Sequence, residues 1–140
     1  MTLVNTSTAF GARVAAHLRD DVVVWLTTVA PGGTPQPSPV WFLWDGADEV
    51  VVYSKATQRT KNLAGNPRVS LNFPGDDLGG DIVILTGDAR VETDAPPCDD
   101  VPTYLAKYAT HIADLRKSPA EFATEYHLAV RIHLTKLRGF

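Results

Sequence analysis

Apolar and β-branched runs, separated by short turn-forming clusters, fill most of the chain, and four stretches read as helices. In the first, residues 7–19, Phe10, Val14, Ala15 and Leu18 recur at helical intervals, with Ser7 or Thr8 placed to cap the first turn. From Val22 to Val29 the side chains turn β-branched and aromatic until Pro31-Gly32-Gly33 ends the run. Residues 38–44 read as the next strand, so the pair predicts a hairpin. Asp45-Gly46 marks another turn, and residues 49–54 a third strand. A short polar helix is predicted over residues 58–65, stopped by Asn66-Pro67. Residues 69–73 and 82–91 follow as strands around a loop rich in Gly and Asp, the later one bending at Gly87. Leu105, Tyr108, Ile112 and Leu115 share one face of a helix over residues 104–116. Ser118-Pro119 opens a shorter helix, and residues 127–137 close the chain as a strand.

Hairpin-linked strands with helices set early and late predict an α+β fold around a mainly antiparallel sheet. Alternating βαβ units are absent, which argues against a doubly wound parallel sheet. Closure into a barrel would remove the exposed edges of so few strands. The length of 140 residues predicts a single domain, residues 1–140, and 44% hydrophobic with 21% charged residues excludes a disordered chain. One cysteine, Cys98, excludes an internal disulfide framework and a cysteine-rich zinc site. The net charge of −3 argues against a general nucleic-acid surface. Apolar runs such as 22–26 and 82–85 are too short to cross a bilayer, and the start lacks a basic-then-apolar leader layout. A soluble cytoplasmic protein with neither a nucleic-acid nor a membrane partner is therefore expected.

Charge is distributed unevenly. Between Val50 and Gly75 stand four cations, Lys55, Arg59, Lys61 and Arg68, and no acid at all. With Thr57 as N-cap of the polar helix, Arg59 and Lys61 fall in its first turn, where the helix dipole disfavours positive charge. An anion would resolve the conflict: free N–H groups, hydroxyls and converging cations together make a phosphate site. A solvated basic helix, at a cost of a few tenths of a kcal/mol, is the plainer alternative. The proline-bearing run from Pro37 to Trp44 reads as an edge, whose free backbone groups can meet a flat polar ring, while its aromatic side chains read as core or interface. The four histidines show no metal-ligand spacing, and Cys98 has no nearby cation to favour a thiolate. No nucleophile elbow, Walker loop or dinucleotide fingerprint occurs.

The ordered set Pro39-Val40-Trp41-Phe42, Arg59-Thr60-Lys61-Asn62-Leu63, Asn66-Pro67-Arg68-Val69-Ser70-Leu71 and Gly87-Asp88-Ala89-Arg90-Val91, closed by the strand from Arg131 to Phe140, resembles the pyridoxamine 5′-phosphate oxidase-like flavin/deazaflavin oxidoreductases. Within that family it resembles the small branch that uses the deazaflavin coenzyme F420. The resemblance implies a split β-barrel that forms a homodimer, with two equivalent cofactor sites in the subunit groove. It implies that Arg59 and Lys61 hold the cofactor phosphate with Ser54, Lys55 and Asn62 nearby, and that the backbone of Val40, Trp41 and Phe42 lines the ring system. Two departures stand out: the last strand carries Leu134 and Thr135 where the family commonly has a proline, and nothing matches the pyridoxal-phosphate contacts of the true oxidases. The expected activity is hydride transfer from reduced F420 to a small conjugated acceptor such as an enone or quinone, with no catalytic acid or base named and no metal. FMN-dependent oxidase or reductase activity is the alternative cofactor reading, and a non-catalytic carrier or sensor the alternative class.

Overall fold

Thr8 caps the first helix, α1 (Ala9–Asp20), by accepting the Gly11 N–H at 2.9 Å, and the helix lays Val14, Ala15 and Leu18 against the sheet. The structure is a computed structural model and describes residues 3–140. Seven strands follow: β1 (Val23–Val29), β2 (Pro35–Trp41), β3 (Leu43–Trp44), β4 (Glu49–Ser54), β5 (Arg68–Asn72), β6 (Val83–Glu92) and β7 (Leu128–Gly139). Helix α2 (Gln58–Gly65) joins β4 to β5, while α3 (Pro102–Asp114) and α4 (Pro119–Glu125) lie between β6 and β7. All pairings are antiparallel, in the order β2-β1-β5-β6-β7-β4-β3.

That order dictates the shape. The two ends of the sheet, β2 and β3, are separated in the chain by Phe42 alone. One residue reaches about 3.5 Å, so the sheet must curl until its opposite edges almost touch. The result is an α+β antiparallel split barrel with flanking helices. Val24, Leu26, Phe42, Leu71, Leu85 and Ile132 fill its interior. A second apolar layer, with Tyr53, Tyr104, Tyr108 and Phe122, packs α3 and α4 on the outside. Cys98 is buried in that layer, and burial, with the charge of Asp99, pushes its thiol up to about 11. No helix among the described residues is long and apolar enough to cross a membrane.

The predicted strand over residues 38–44 is in fact two strands, starting earlier and breaking at Phe42. The bond from Ala30 N–H to Thr34 O at 2.9 Å sets the parity of the β1/β2 ladder. Gln36, Ser38 and Val40 therefore turn their backbone polar groups toward β1, and Pro35, Pro37, Pro39 and Trp41 turn theirs toward the free edge. Proline has no N–H to lose there, and it blunts the edge against a further strand. The next ladder position would pair Phe42 with Val22. Instead the Tyr108 hydroxyl enters the gap, accepting the Phe42 N–H at 2.8 Å and standing 2.7 Å from Val22 O and 2.9 Å from Phe42 O, to either of which it donates. Lys107 Nζ donates to Phe42 O at 3.0 Å and lies 3.7 Å from the centroid of the Phe42 ring. Burial pushes the Lys107 pKa down to about 8, against the upward pull of Asp21 and Asp20. The bend expected at Gly87 is a register shift between Thr86 and Gly87, where a Cβ would lie 2.6 Å from His133 O.

Helix α1 is fastened to the β5–β6 loop through His17. Its Nδ1 lies 2.7 Å from Asp21 and its Nε2 2.9 Å from Asp81, while Arg13 also pairs with Asp81. Burial alone would lower the His17 pKa, but the hydrogen bonds and charges of Asp21 and Asp81 outweigh it and the net shift is upward.

Two outcomes are expected. Tyr108→Phe leaves the Phe42 N–H without a partner in the core and lowers unfolding stability in urea by about 2 kcal/mol, whereas a loss under about 0.5 would show that the hydroxyl does not hold the seam. A His17 pKa raised above the unfolded value adds stability that is complete below that value and lost as pH rises through the folded one. Urea midpoints should therefore fall as pH rises from the ordinary histidine range through the raised folded value, and His17→Gln should flatten that segment of the profile.

Candidate functional site

Past the seam at Phe42, β2 and β4 run side by side without pairing, and the gap between them holds a cavity of about 460 Å³. Parity directs the C=O of Pro39 and the N–H and C=O of Trp41 to the free edge of β2 beside this space. The bond from Asp45 N–H to Glu49 O sets the opposite wall the same way, so the Tyr53 backbone faces β2. Two strand edges thus offer donors and acceptors at fixed spacing to whatever lies between them.

One end of the cavity is polar. Ser54 ends β4, and Thr57 stands at the N-cap of α2, its N–H donating to Thr60 Oγ1 at 3.1 Å. Arg59 reaches back across the gap: its Nε and Nη2 donate to Ser38 Oγ at 3.2 and 2.8 Å, and its Nη1 to Ser54 Oγ at 3.1 Å. The guanidinium therefore ties the end of one wall to the other. Burial lowers its pKa, and no carboxylate raises it again. The Thr57 hydroxyl oxygen is buried beside the same cavity and makes no hydrogen bond of ordinary geometry among the described residues. As first-turn residues, Gln58 and Arg59 also present N–H groups that the helix cannot satisfy.

The other walls are aromatic. The Trp41 ring stacks between Tyr108, at 4.7 Å and 7°, and Phe122, at 5.3 Å and 18°. Phe122 in turn stacks on Tyr126 at 4.3 Å. Leu115, at the end of α3, completes the rim and is 48% exposed. A cavity with an apolar face, a strand edge and one cationic end suits a flat ring carrying an anionic arm.

The expectation of cations without partners holds for Arg59 and fails for two others. Lys55 Nζ lies 2.6 Å from Glu125, and Arg68 pairs loosely with Asp88 at 3.5 Å on the surface. Both acids come from distant parts of the chain, which local sequence could not show. Among the described residues, no cluster of His, Cys, Asp and Glu is arranged to hold a metal ion.

The sequence matches the pyridoxamine 5′-phosphate oxidase family over residues 10–137. The chain belongs to that family. No curated protein matches it. Among solved structures, the fold is similar to an F420 reductase, at 24% identity and a TM-score of 0.65, covering 88% of this chain and 94% of that one. It is also similar to an FAD-binding protein from Mesorhizobium loti, at 15% identity and a TM-score of 0.64, covering 90% and 88%. A third likeness is to HutZ, the haem storage protein from Vibrio cholerae, at 16% identity and a TM-score of 0.57, covering 99% and 93%. These likenesses concern the fold alone, and the three names carry three different cofactors.

Of the residues singled out by family resemblance, Val40, Trp41, Ser54, Lys55 and Arg59 line the cavity of this family member. Lys61 is exposed and lies outside that lining. Phe42 points into the barrel. Asn62, only 2% exposed, donates to Thr28 Oγ1 and Gln36 Oε1 and accepts from Gln58, so its side chain fastens α2 to the β1/β2 hairpin. Sequence reasoning missed Tyr53, Phe122 and Tyr126. Phe122 belongs to the short helix read from Ser118-Pro119 and Tyr126 caps its end, and nothing local marks either as lining the same cavity as residue 59.

If Arg59 supplies the anion end, inorganic phosphate should raise the melting temperature of the wild-type protein, with an effect that shrinks as salt is added. Arg59→Met should abolish this response and Lys61→Met should largely keep it. Equal loss in both variants would move the anion site out to the helix surface.

Proposed function

We propose that this cavity binds a redox coenzyme with a flat tricyclic ring and a phosphate-bearing arm, and that the protein is a cytoplasmic oxidoreductase acting on a small conjugated acceptor. The first reading of the coenzyme is the deazaflavin F420. The observation that carries the proposal is Arg59: a half-buried guanidinium without a carboxylate, fixed between Ser38 and Ser54 at the end of an aromatic-walled cavity. Leaving a cation so placed is costly unless an anion joins it.

The residues present fit such a group. Arg59, the unpartnered Thr57 hydroxyl and the first-turn N–H groups of α2 would take the phosphate. The free edges at Pro39, Trp41 and Tyr53 would meet the polar rim of the ring. A volume of about 460 Å³ lies inside the ordinary range for ligand sites. When bound, a reduced deazaflavin supplies a hydride to an electron-poor carbon. The protein contributes orientation, a fixed register along the strand edges, and a wall formed by Trp41, Phe122 and Tyr126 that keeps water from one side. No side chain is assigned as acid or base.

FMN is the second reading, and one observation favours it: Glu125 already neutralises Lys55, so among the described residues the cavity lining presents one cation without an acid, enough for a single phosphate. A homodimer belongs to the same proposal. The outer face of β1 carries Trp25, 37% exposed and level with Pro39 on one side and Asn72 on the other, which gives a flat patch for a second copy.

Titration of the purified protein with F420 and, separately, FMN should give saturable quenching of Trp41 fluorescence, lost in Arg59→Met. Anaerobic addition of a quinone should then reoxidise the bound, reduced coenzyme. Binding without reoxidation would make the protein a carrier or sensor, and failure of both ligands to bind would overturn the coenzyme reading.

A further inference from the structure

A second set of charges reaches the cavity through one residue of its lining, Lys55. Lys55, on the loop between β4 and α2, sits over the Tyr126 ring at 5.1 Å from its centroid, and its Nζ meets Glu125 Oε1 at 2.6 Å. The other oxygen, Glu125 Oε2, is held by Lys117 from the α3–α4 turn. One carboxylate thus divides itself between a lysine that lines the cavity and a lysine that does not.

The three groups are 30 to 47% exposed on their side chains, so the contacts exchange readily with solvent and are worth little as mere stability. Their placement matters more. The Lys55–Glu125 pair joins the end of α4 to the strand–helix junction that carries Thr57 and Arg59, and closes the circuit between the helical layer and the anion end. A carboxylate beside an anion site opposes the approach of a second negative group, unless it can give up the cation it covers. Here it can, because Lys117 still holds its other oxygen once Lys55 has left.

We propose that Glu125 is the charge gate of this cavity. It covers Lys55 so that the ligand-free site presents Arg59 alone, and a ligand with a second anionic group takes Lys55 over while Glu125 falls back on Lys117. The gate deepens the anion-site reading of the cavity and rests on it. It sets how many negative charges the bound molecule carries: with the gate closed the cavity accepts a single phosphate, and with the gate open a phosphate plus a further acidic arm.

Inorganic phosphate and pyrophosphate are the probes, titrated calorimetrically into wild type and two variants, and the pyrophosphate-to-phosphate affinity ratio is compared within each protein so that general loss of stability cancels. Glu125→Gln weakens the hold on Lys55 and should raise that ratio about fivefold, the size of a half-exposed ion pair. Lys117→Met removes the fallback, leaves Glu125 to Lys55 alone, and should lower the ratio by about as much. Opposite shifts that vanish in a Lys55→Met background support the gate; shifts that persist there are a general charge effect and overturn it, and a purely structural clasp would move both variants the same way. An unchanged ratio, shifts of the same sign, or no binding of either anion to any of the three proteins overturns it. The coenzyme reading fails or stands separately: F420 and FMN failing to bind while the ratio still moves would leave a gated anion site without its proposed coenzyme.

Discussion

A single backbone residue, Phe42, belongs to both edges of the sheet, and its polar groups must be satisfied where neither edge can pair with it. Tyr108 and Lys107 from α3 solve this by bringing a hydroxyl and an ammonium to its N–H and C=O. The hydroxyl stands where the next rung of the β1/β2 ladder would form, and so it ends that ladder while keeping Val22 and Phe42 bonded. With the seam held at Phe42 and the far end bridged by Arg59 between Ser38 and Ser54, β2 and β4 are pinned at both ends of a gap they do not close. The cavity is the space between these two pins. Stability of the barrel and availability of the site therefore rest on the same departure from regular pairing.

The two pins differ in electrostatic character. Lys107 is half-buried against a carbonyl and aromatic rings, the pull of Asp21 and Asp20 does not offset that burial, and its pKa falls to about 8, so the seam tolerates a weakened cation. Arg59 cannot give up its proton at any ordinary pH, and two serine hydroxyls do not neutralise it. A lysine at position 59 would have the option of discharging, whereas arginine keeps positive charge at the polar end under all conditions. Residue type and placement together are what the proposed anion site rests on, while the Asn62 amide, three residues along the helix, donates to Thr28 and Gln36 and fastens α2 to the hairpin.

The sequence carried the order of the elements, the hairpin from β1 to β2, the N-cap at Thr57 and the bend at Gly87, because each is written in neighbouring residues: β-branched runs, a proline-glycine turn, a hydroxyl before a polar helix, a glycine inside a strand. It did not carry the break at Phe42. Val40 and Phe42 face the barrel interior while Trp41 and Leu43 face the helical layer, so the alternation of side chains runs unbroken through the point where the strand changes partner. The charge count around Arg59 was legible for the same local reason, and the cover on Lys55 was not, since Glu125 lies seventy positions further on and reaches it only through the packing of α4. The pair formed by His17 and Asp81 was hidden by the same kind of distance, although Asp21 stood four residues from His17 in plain view.

The structural likenesses to proteins named for F420, FAD and haem show that the barrel itself does not select a cofactor. Selection has to come from side chains around the split, because the strand edges contribute only backbone groups that every sequence shares. In this chain those side chains give a fixed cation, a hydroxyl without a partner, an aromatic stack and a second cation already covered by an acid. Among the described residues, the titratable groups of the cavity lining beyond the two cations are Tyr53 and Tyr126. The hydroxyl of Tyr53 already donates to Pro96 O at 2.9 Å. Phosphate oxygens can take hydrogen bonds from guanidinium, hydroxyl and helix N–H groups at once, and that match between donor set and acceptor is the physical ground of the coenzyme reading proposed above.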